Sequence, residues 1–435
     1  MNKKYLSIVL LIIMLASILS GCYDAMEIDD DLYPIILGVD IGKHNMVRIT
    51  IQYPNYKSDS GSGGASAGGK MNGGTEKNVS EGNNIESIES PTVLEGLYMF
   101  SMTLSRRVSL MHTKLLIISE EFAKLGIQGY MAGFERFRET RTTMSLLISK
   151  GRAEDFIMEN KTNIGTSLSK SVELLLGQTS ITGFFPRVRF FDFYKDMLST
   201  YRQPVALYGG VNQLNNIDGI SDKTKVIEAG KGYLPGEIPR KGTSKVEIAG
   251  ISVFNGGKMV GALDSYETTY YMMLTGEYKK GRVSIQDKYD PTKAIVFDMH
   301  TSRKPKVKAS MQDGKPVIDL NIKLEAEIYV IQSRIDYEEL PLTQDAKKQI
   351  EDFLSKGMKA TIKKTQEEFH TDIFGFGEWM AGNFFTIEDW ESYNWLAHYP
   401  EAAVNLNLSV DIRRTGLIFN SAPIHSNEGI KGESR

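Results

Sequence analysis

Cysteine is all but missing. Cys22 is the single cysteine in 435 residues, so no disulfide can form within one chain and the body must be held by packing alone. Histidine is sparse as well. The six (His44, His112, His300, His370, His398 and His425) are scattered, with no His-Glu-x-x-His or paired-ligand spacing, which removes the common zinc hydrolases. The Gly-x-Ser-x-Gly match at Gly64-Ala65-Ser66-Ala67-Gly68 falls in a Gly/Ser-rich run with no strand-to-helix junction to frame it as a nucleophile elbow, and no thiol nucleophile is present, so covalent acyl chemistry lacks its starting residue. Neither charge sign dominates: 51 Lys and Arg face 54 Asp and Glu, a net of -3, which argues against nucleic acid as the partner. Past the first twenty residues no apolar run is long enough to span a bilayer, and Leu115-Leu116-Ile117-Ile118 is only strand-length. Asp29-Asp30-Asp31 lacks the spaced oxygens and turn glycine of a calcium loop and reads as a solvated tether.

The amino-terminal segment supplies what the rest lacks. Lys3 and Lys4 form a positive region, Leu6 to Leu19 an apolar one, and Ser20-Gly21 leads into Cys22. The apolar stretch of about 15 residues is short of the ~20 that a spanning helix requires. The order predicts a lipoprotein signal, residues 1–21, cleaved between Gly21 and Cys22, with Cys22 carrying S-diacylglycerol and an N-palmitoyl chain. Two or more acyl chains hold a protein stably on a membrane, so the remainder is expected to be an extracytoplasmic body tethered through lipid.

That remainder, about 410 residues, suffices for several cores. Ile35 to Tyr53 reads as a hairpin turning at Gly42-Lys43-His44-Asn45, and residues 58–75, rich in Gly and Ser, read as a flexible loop. Ser90-Pro91 predicts a helix capped by Ser90 and running to about Arg107, burying Leu94, Leu97, Tyr98 and Leu104. Strands are expected at Lys114–Ile118 and Met144–Ser149, with helices after Ser119, over Gln128–Arg138, and from Ala153. Residues 165–200 look largely helical, and 212–245 read as a connection. The final part predicts a hairpin around Asn255-Gly256-Gly257, a helix from Tyr266 to Gly276, strands flanking Asp313-Gly314, a long amphipathic helix from Thr343, and a terminal antiparallel strand over Val404–Ile412. The divisions drawn are 22–150, 151–245, 246–420 and a tail at 421–435.

All three tryptophans, Trp379, Trp390 and Trp395, fall in one segment with Phe374, Phe376, Phe384, Phe385 and Tyr393. The segment is either a small core under the long helix or a partner-docking surface. Neither reading makes an enzyme.

Four stretches taken together resemble the Ger(x)C family, the lipoprotein C subunit of bacterial spore germinant receptors. They are Gly21-Cys22-Tyr23-Asp24-Ala25-Met26-Glu27-Ile28 with Ile36 to Asp40; Ser105-Arg106-Arg107 with His112-Thr113-Lys114 and the run to Ile127; Gly250 to Phe254 with Lys258 to Gly261; and Asp372-Ile373-Phe374-Gly375-Phe376-Gly377-Glu378 with Trp390, Trp395 and Ile412-Arg413-Arg414-Thr415-Gly416. Tyr23 stands where the family has Trp, and the Gly/Ser run expands a variable loop. The resemblance implies an α+β lipoprotein of three domains, its antiparallel or mixed sheets packed with helices and its long helix on the C-terminal sheet. It implies a place on the outer face of the spore inner membrane beside A-type and B-type membrane subunits, with no cofactor, metal, catalytic set or nucleic acid. Asp372, Phe374, Gly375, Phe376, Gly377, Glu378, Trp390 and Trp395 become candidate contact residues. Direct nutrient binding stays open, and the alternative is an extracytoplasmic substrate-binding lipoprotein of a transporter.

Overall fold

The computed structural model describes residues 30–55, 83–161, 167–213, 225–333 and 335–414, together with Tyr5 and Met14. The signal, Gly21 and Cys22, the Gly/Ser-rich run, Thr415-Gly416 and the tail lie outside the described residues. Among those described, no helix is long and apolar enough to cross a membrane.

Among the described residues, fifteen strands form a short bridge and two larger sheets. In the bridge, β1 (Asp31–Leu32) runs parallel to β5 (Arg107–Val108). The first large sheet takes β2 (Ile36–Ile41), β3 (Val47–Pro54), β4 (Asn83–Ser90), β6 (Leu115–Ser119), β7 (Ser145–Lys150), β8 (Val205–Val211), β9 (Val246–Asn255) and β10 (Lys258–Leu263). Their order across the sheet is β10-β9-β8-β7-β6-β2-β3-β4. The four central strands are mutually parallel and the two on each flank antiparallel. Parallel strands must be crossed over by helices, which bury both faces, and this explains the unbroken apolar run of β6. Its Leu116 and Ile118 join a core with the helices Val93–Leu104, Glu120–Leu125, Gln128–Arg136 and Phe190–Met197, while Leu115 and Ile117 face the opposite core with the helices Ala153–Glu159 and Leu168–Gly177.

That opposite core does not stop at the first sheet. It continues through the helix Ser265–Thr275 into the second sheet and the long helix Leu340–Glu367. The second sheet contains β11 (Lys280–Gln286), β12 (Ala294–Thr301), β13 (Lys306–Gln312), β14 (Lys315–Ile331) and β15 (Ala403–Arg414). β12 and β13 share one edge of the 17-residue β14, and β15 takes the other. Asp313 and Gly314, both with positive φ, make the two-residue turn between β13 and β14.

Several expectations are corrected. β15 runs parallel to β14, with the long helix in the crossover between them, so the terminal strand is not antiparallel. Period-two burial tells which face a strand presents and carries no information on direction. The helix after Ser90 begins at Val93, and its cap is Thr92, whose hydroxyl accepts from Glu95 N at 3.2 Å. Ser90 instead ends β4, where its hydroxyl donates to the Thr92 carbonyl. Tyr98 on that helix is 72% exposed, and Phe100 fills the core position. Residues 165–200 break into Leu168–Gly177, Thr179–Thr182 and Phe190–Met197. The long helix starts at Leu340, with Pro341 in its first turn where the missing N–H costs nothing. The hairpin at 251–260 is present, and it forms the edge of the first sheet, so that sheet runs through the divisions drawn at 150 and 245.

Candidate functional site

The long helix ends at Glu367, and five residues later the chain buries a carboxylate. Asp372 has no exposed surface. Its Oδ1 accepts from the backbone N–H groups of Phe374 and Gly375, each at 2.9 Å, and its Oδ2 from Gly377 N at 3.0 Å and Trp395 Nε1 at 2.9 Å. Four N–H donors converge on two oxygens, so the pocket is donor-only and suits a group that only accepts. Gly375 is there because the turn requires φ of +78°, which glycine reaches at little cost. Gly377 answers a different need: a Cβ would stand 2.3 Å from the Tyr201 carbonyl and 2.5 Å from Trp395 Cδ1. Burial pushes the Asp372 carboxyl up to about 6, against the downward pull of Trp395, the backbone donors and the Arg202 guanidinium.

The aromatic residues close this turn onto the other lobe. Trp390 donates through Nε1 to the Thr200 hydroxyl at 3.0 Å and stacks on Tyr201, with ring centroids 5.3 Å apart. Trp395 lies 6.4 Å from Trp390 and packs edge-on to Tyr399, whose hydroxyl is 2.6 Å from Thr365 Oγ1. Gln203 N donates to the Asp372 carbonyl at 2.8 Å. Residues 199–203 lead into β8 of the first sheet, so the turn pins the two lobes together. Arg202 is central: its Nε lies 3.2 Å from Asp196 Oδ2, and its Nη2 donates to the Ile373 carbonyl at 3.3 Å and reaches the Tyr271 hydroxyl at 3.5 Å. Burial raises the Asp196 carboxyl and Arg202 opposes that rise.

The candidate residues therefore divide. Asp372, Phe374, Gly375, Phe376, Gly377, Trp390 and Trp395 are buried, while Glu378 and its neighbour Trp379 face solvent. Phe385 is fully exposed and Ile387 is 69% exposed. Arg202, Asp196 and Thr200 escaped the sequence reading, because a single Arg or Asp far from a motif carries no periodic signal. Among the described residues no group of three or more His, Cys, Asp or Glu could hold a metal ion.

Comparison with known proteins now becomes decisive. Residues 24–210 match the family model described as "Spore germination protein N-terminal domain", and residues 249–416 match "Spore germination B3/ GerAC like, C-terminal". The chain belongs to the Ger(x)C family. Spore germination protein KC of Bacillus subtilis (strain 168) is 25% identical to this Ger(x)C chain, over 97% of it and 98% of the relative. Spore germination protein YndF of the same organism is 23% identical, over 96% and 98%. The crystal structure of the GerBC protein superposes with a TM-score of 0.50 at 17% identity, covering 87% of this chain and 96% of that one, which places the fold.

The stretches that carried the Ger(x)C resemblance turn out to be joints. Asp40, at the end of β2, is buried and accepts from Ala153 N at 2.7 Å and Glu154 N at 2.9 Å, satisfying the start of a helix over a hundred residues away. Arg107 grips Asp31 through Nε at 2.9 Å and Nη2 at 3.0 Å, and Glu139 through Nη1 at 2.8 Å. Asp31 is thus buried and ion-paired rather than part of a solvated tether, and its hydrogen bond to Arg107 lowers its pKa. Thr113 donates to the Pro34 carbonyl at 3.0 Å, and Arg413 reaches Glu325 at 2.8 Å across β15 and β14.

Proposed function

We propose that this chain is the membrane-anchored, non-enzymatic C subunit of a spore nutrient germinant receptor. Lipidated Cys22 would hold it to the outer face of the spore inner membrane, where it assembles with A-type and B-type membrane subunits and supports assembly or signalling. The observation that carries this reading is the match of both halves of the chain, in order, to spore germination families. The geometry favours contact over catalysis. Both oxygens of Asp372 are committed to four structural donors, so the motif's carboxylate has no lone pair directed at a substrate. The same segment leaves Trp379, Phe385 and Ile387 on the surface, and a set of large apolar side chains is what a protein partner anchors on. Lobes joined by one continuous core are poorly suited to the hinge of a transporter's binding protein.

The test uses spores lacking the gene, complemented by the wild type or by the F385A/I387A double variant, with single nutrients and a nutrient-independent trigger. Deletion should abolish the response to one nutrient class and spare the control. The double variant should keep normal protein levels yet germinate more slowly on that nutrient. Unchanged germination of the deleted strain across all nutrients would sink the proposal.

A further inference from the structure

A cavity of about 560 Å³ lies away from the Asp372 turn, at another part of the lobe interface. Its walls carry Lys114, Arg141, Arg187 and Lys279 against only Glu173 and Glu277. These cations come from four separate stretches: the entry to β6, the loop before β7, the loop before Phe190–Met197, and the turn after Ser265–Thr275. Lys114 is held by Glu173. Among the described residues, the Arg141 side chain makes one hydrogen bond, from its Nε to Thr143 Oγ1 at 3.0 Å. Among the described residues, Arg141, Arg187 and Lys279 make no ion pair within 4.0 Å.

A chain with a net charge of -3 has no general surplus of cations to scatter here. Like charges drawn together in a concavity repel one another and focus a positive potential into it. The arrangement is relieved when an anion fills the space, and guanidinium groups present planar donor pairs that match carboxylate or phosphate oxygens. We propose that this cleft binds a small oxyanion, a dicarboxylate or phosphate-bearing molecule, between Arg141 and Arg187 of the first lobe and Lys279 of the second. The volume admits a molecule of metabolite size and no folded partner. Glu277 is exposed on the cleft, and desolvation by the surrounding protein raises its carboxyl against the pull of Arg202. The cleft therefore shares one electrostatic neighbourhood with the Arg202 junction.

The experiment is calorimetric titration of the full-length protein in non-ionic detergent with succinate, inorganic phosphate and uncharged succinamide, at ionic strength matched with sodium chloride. Saturable binding of succinate or phosphate, with none of succinamide, is expected, and which anion binds tighter separates a carboxylate from a phosphate ligand. R187A and K279A should each weaken it by about tenfold or more, equivalent to ~1.4 kcal/mol. Both residues are exposed, so folding should survive, and an unchanged melting temperature without ligand checks it. K359A, on the exposed face of the long helix, should bind as the wild type does. Absence of saturable binding of both anions, or binding by R187A and K279A as tight as that of the wild type, would overturn the proposal. Neither result touches the family assignment, which rests on the matched sequence.

Discussion

At the scale of single residues, a fully buried carboxylate and two of the three tryptophans meet in one joint. A pKa raised from 3.8 to about 6 means that burial disfavours the Asp372 carboxylate in the folded state by about 3 kcal/mol. Below pH 3.8 both folded and unfolded chains are protonated at this site and the penalty is absent. As pH rises to about 6 the folded state holds its proton longer than the unfolded one, so this group's contribution to stability falls across that window and is flat above it. D372N lacks the titration, and its amide would set N–H groups against N–H donors. Chemical denaturation at stepped pH should show the wild type losing ground relative to D372N between pH 3.8 and about 6. Parallel pH profiles would refute the linkage. Part of this joint was legible in the sequence: the clustered tryptophans read as either a small core or a docking surface, and Trp390 and Trp395 are core while Trp379 is exposed. Arg202 and Thr200 were not legible, since they meet the turn only through tertiary closure.

Elements teach a related lesson. Alternation located β14 and β15 and the face each buries, and helical spacing located Leu340–Glu367, because periodicity reports burial. Parallel pairing left no trace in either strand. β4 was missed because Ile85 and Ile88 stand three apart, and β8 because Gly209 and Gly210 interrupt its apolar run. β11 buries only two apolar side chains, Val283 and Ile285, in line with Gly281. The short helix Phe376–Met380 gives the sharpest element-level prediction. G377A forces a Cβ against backbone and indole, and should destabilise by about 2 kcal/mol or more. G382A, five residues on, meets nothing within 4 Å and should stay within about 0.5 kcal/mol of the wild type. Equal losses in thermal denaturation would show that the close approach at Gly377 is not what selects glycine.

For the whole molecule, a continuous core and the Arg202–Asp372 junction make the two lobes one cooperative unit. Far-UV circular dichroism and tryptophan fluorescence should therefore report coincident unfolding midpoints, because all three indoles sit at or beside that junction while the helices lie in both lobes. Two separated transitions would mean that the lobes unfold independently.

The parallel seating of β15 also sets an order of events in time. The strand that completes the second sheet is the last described element; it begins at Ala403, whereas its neighbour β14 ends at Ile331. Trp390 must find Thr200 across 190 positions of chain. Contacts so remote in sequence close slowly, and long-range pairing is what delays a nascent chain from settling. The second sheet thus acts as a latch that only β15 can throw, leaving the lobes unlocked until residues 403–414 have been made.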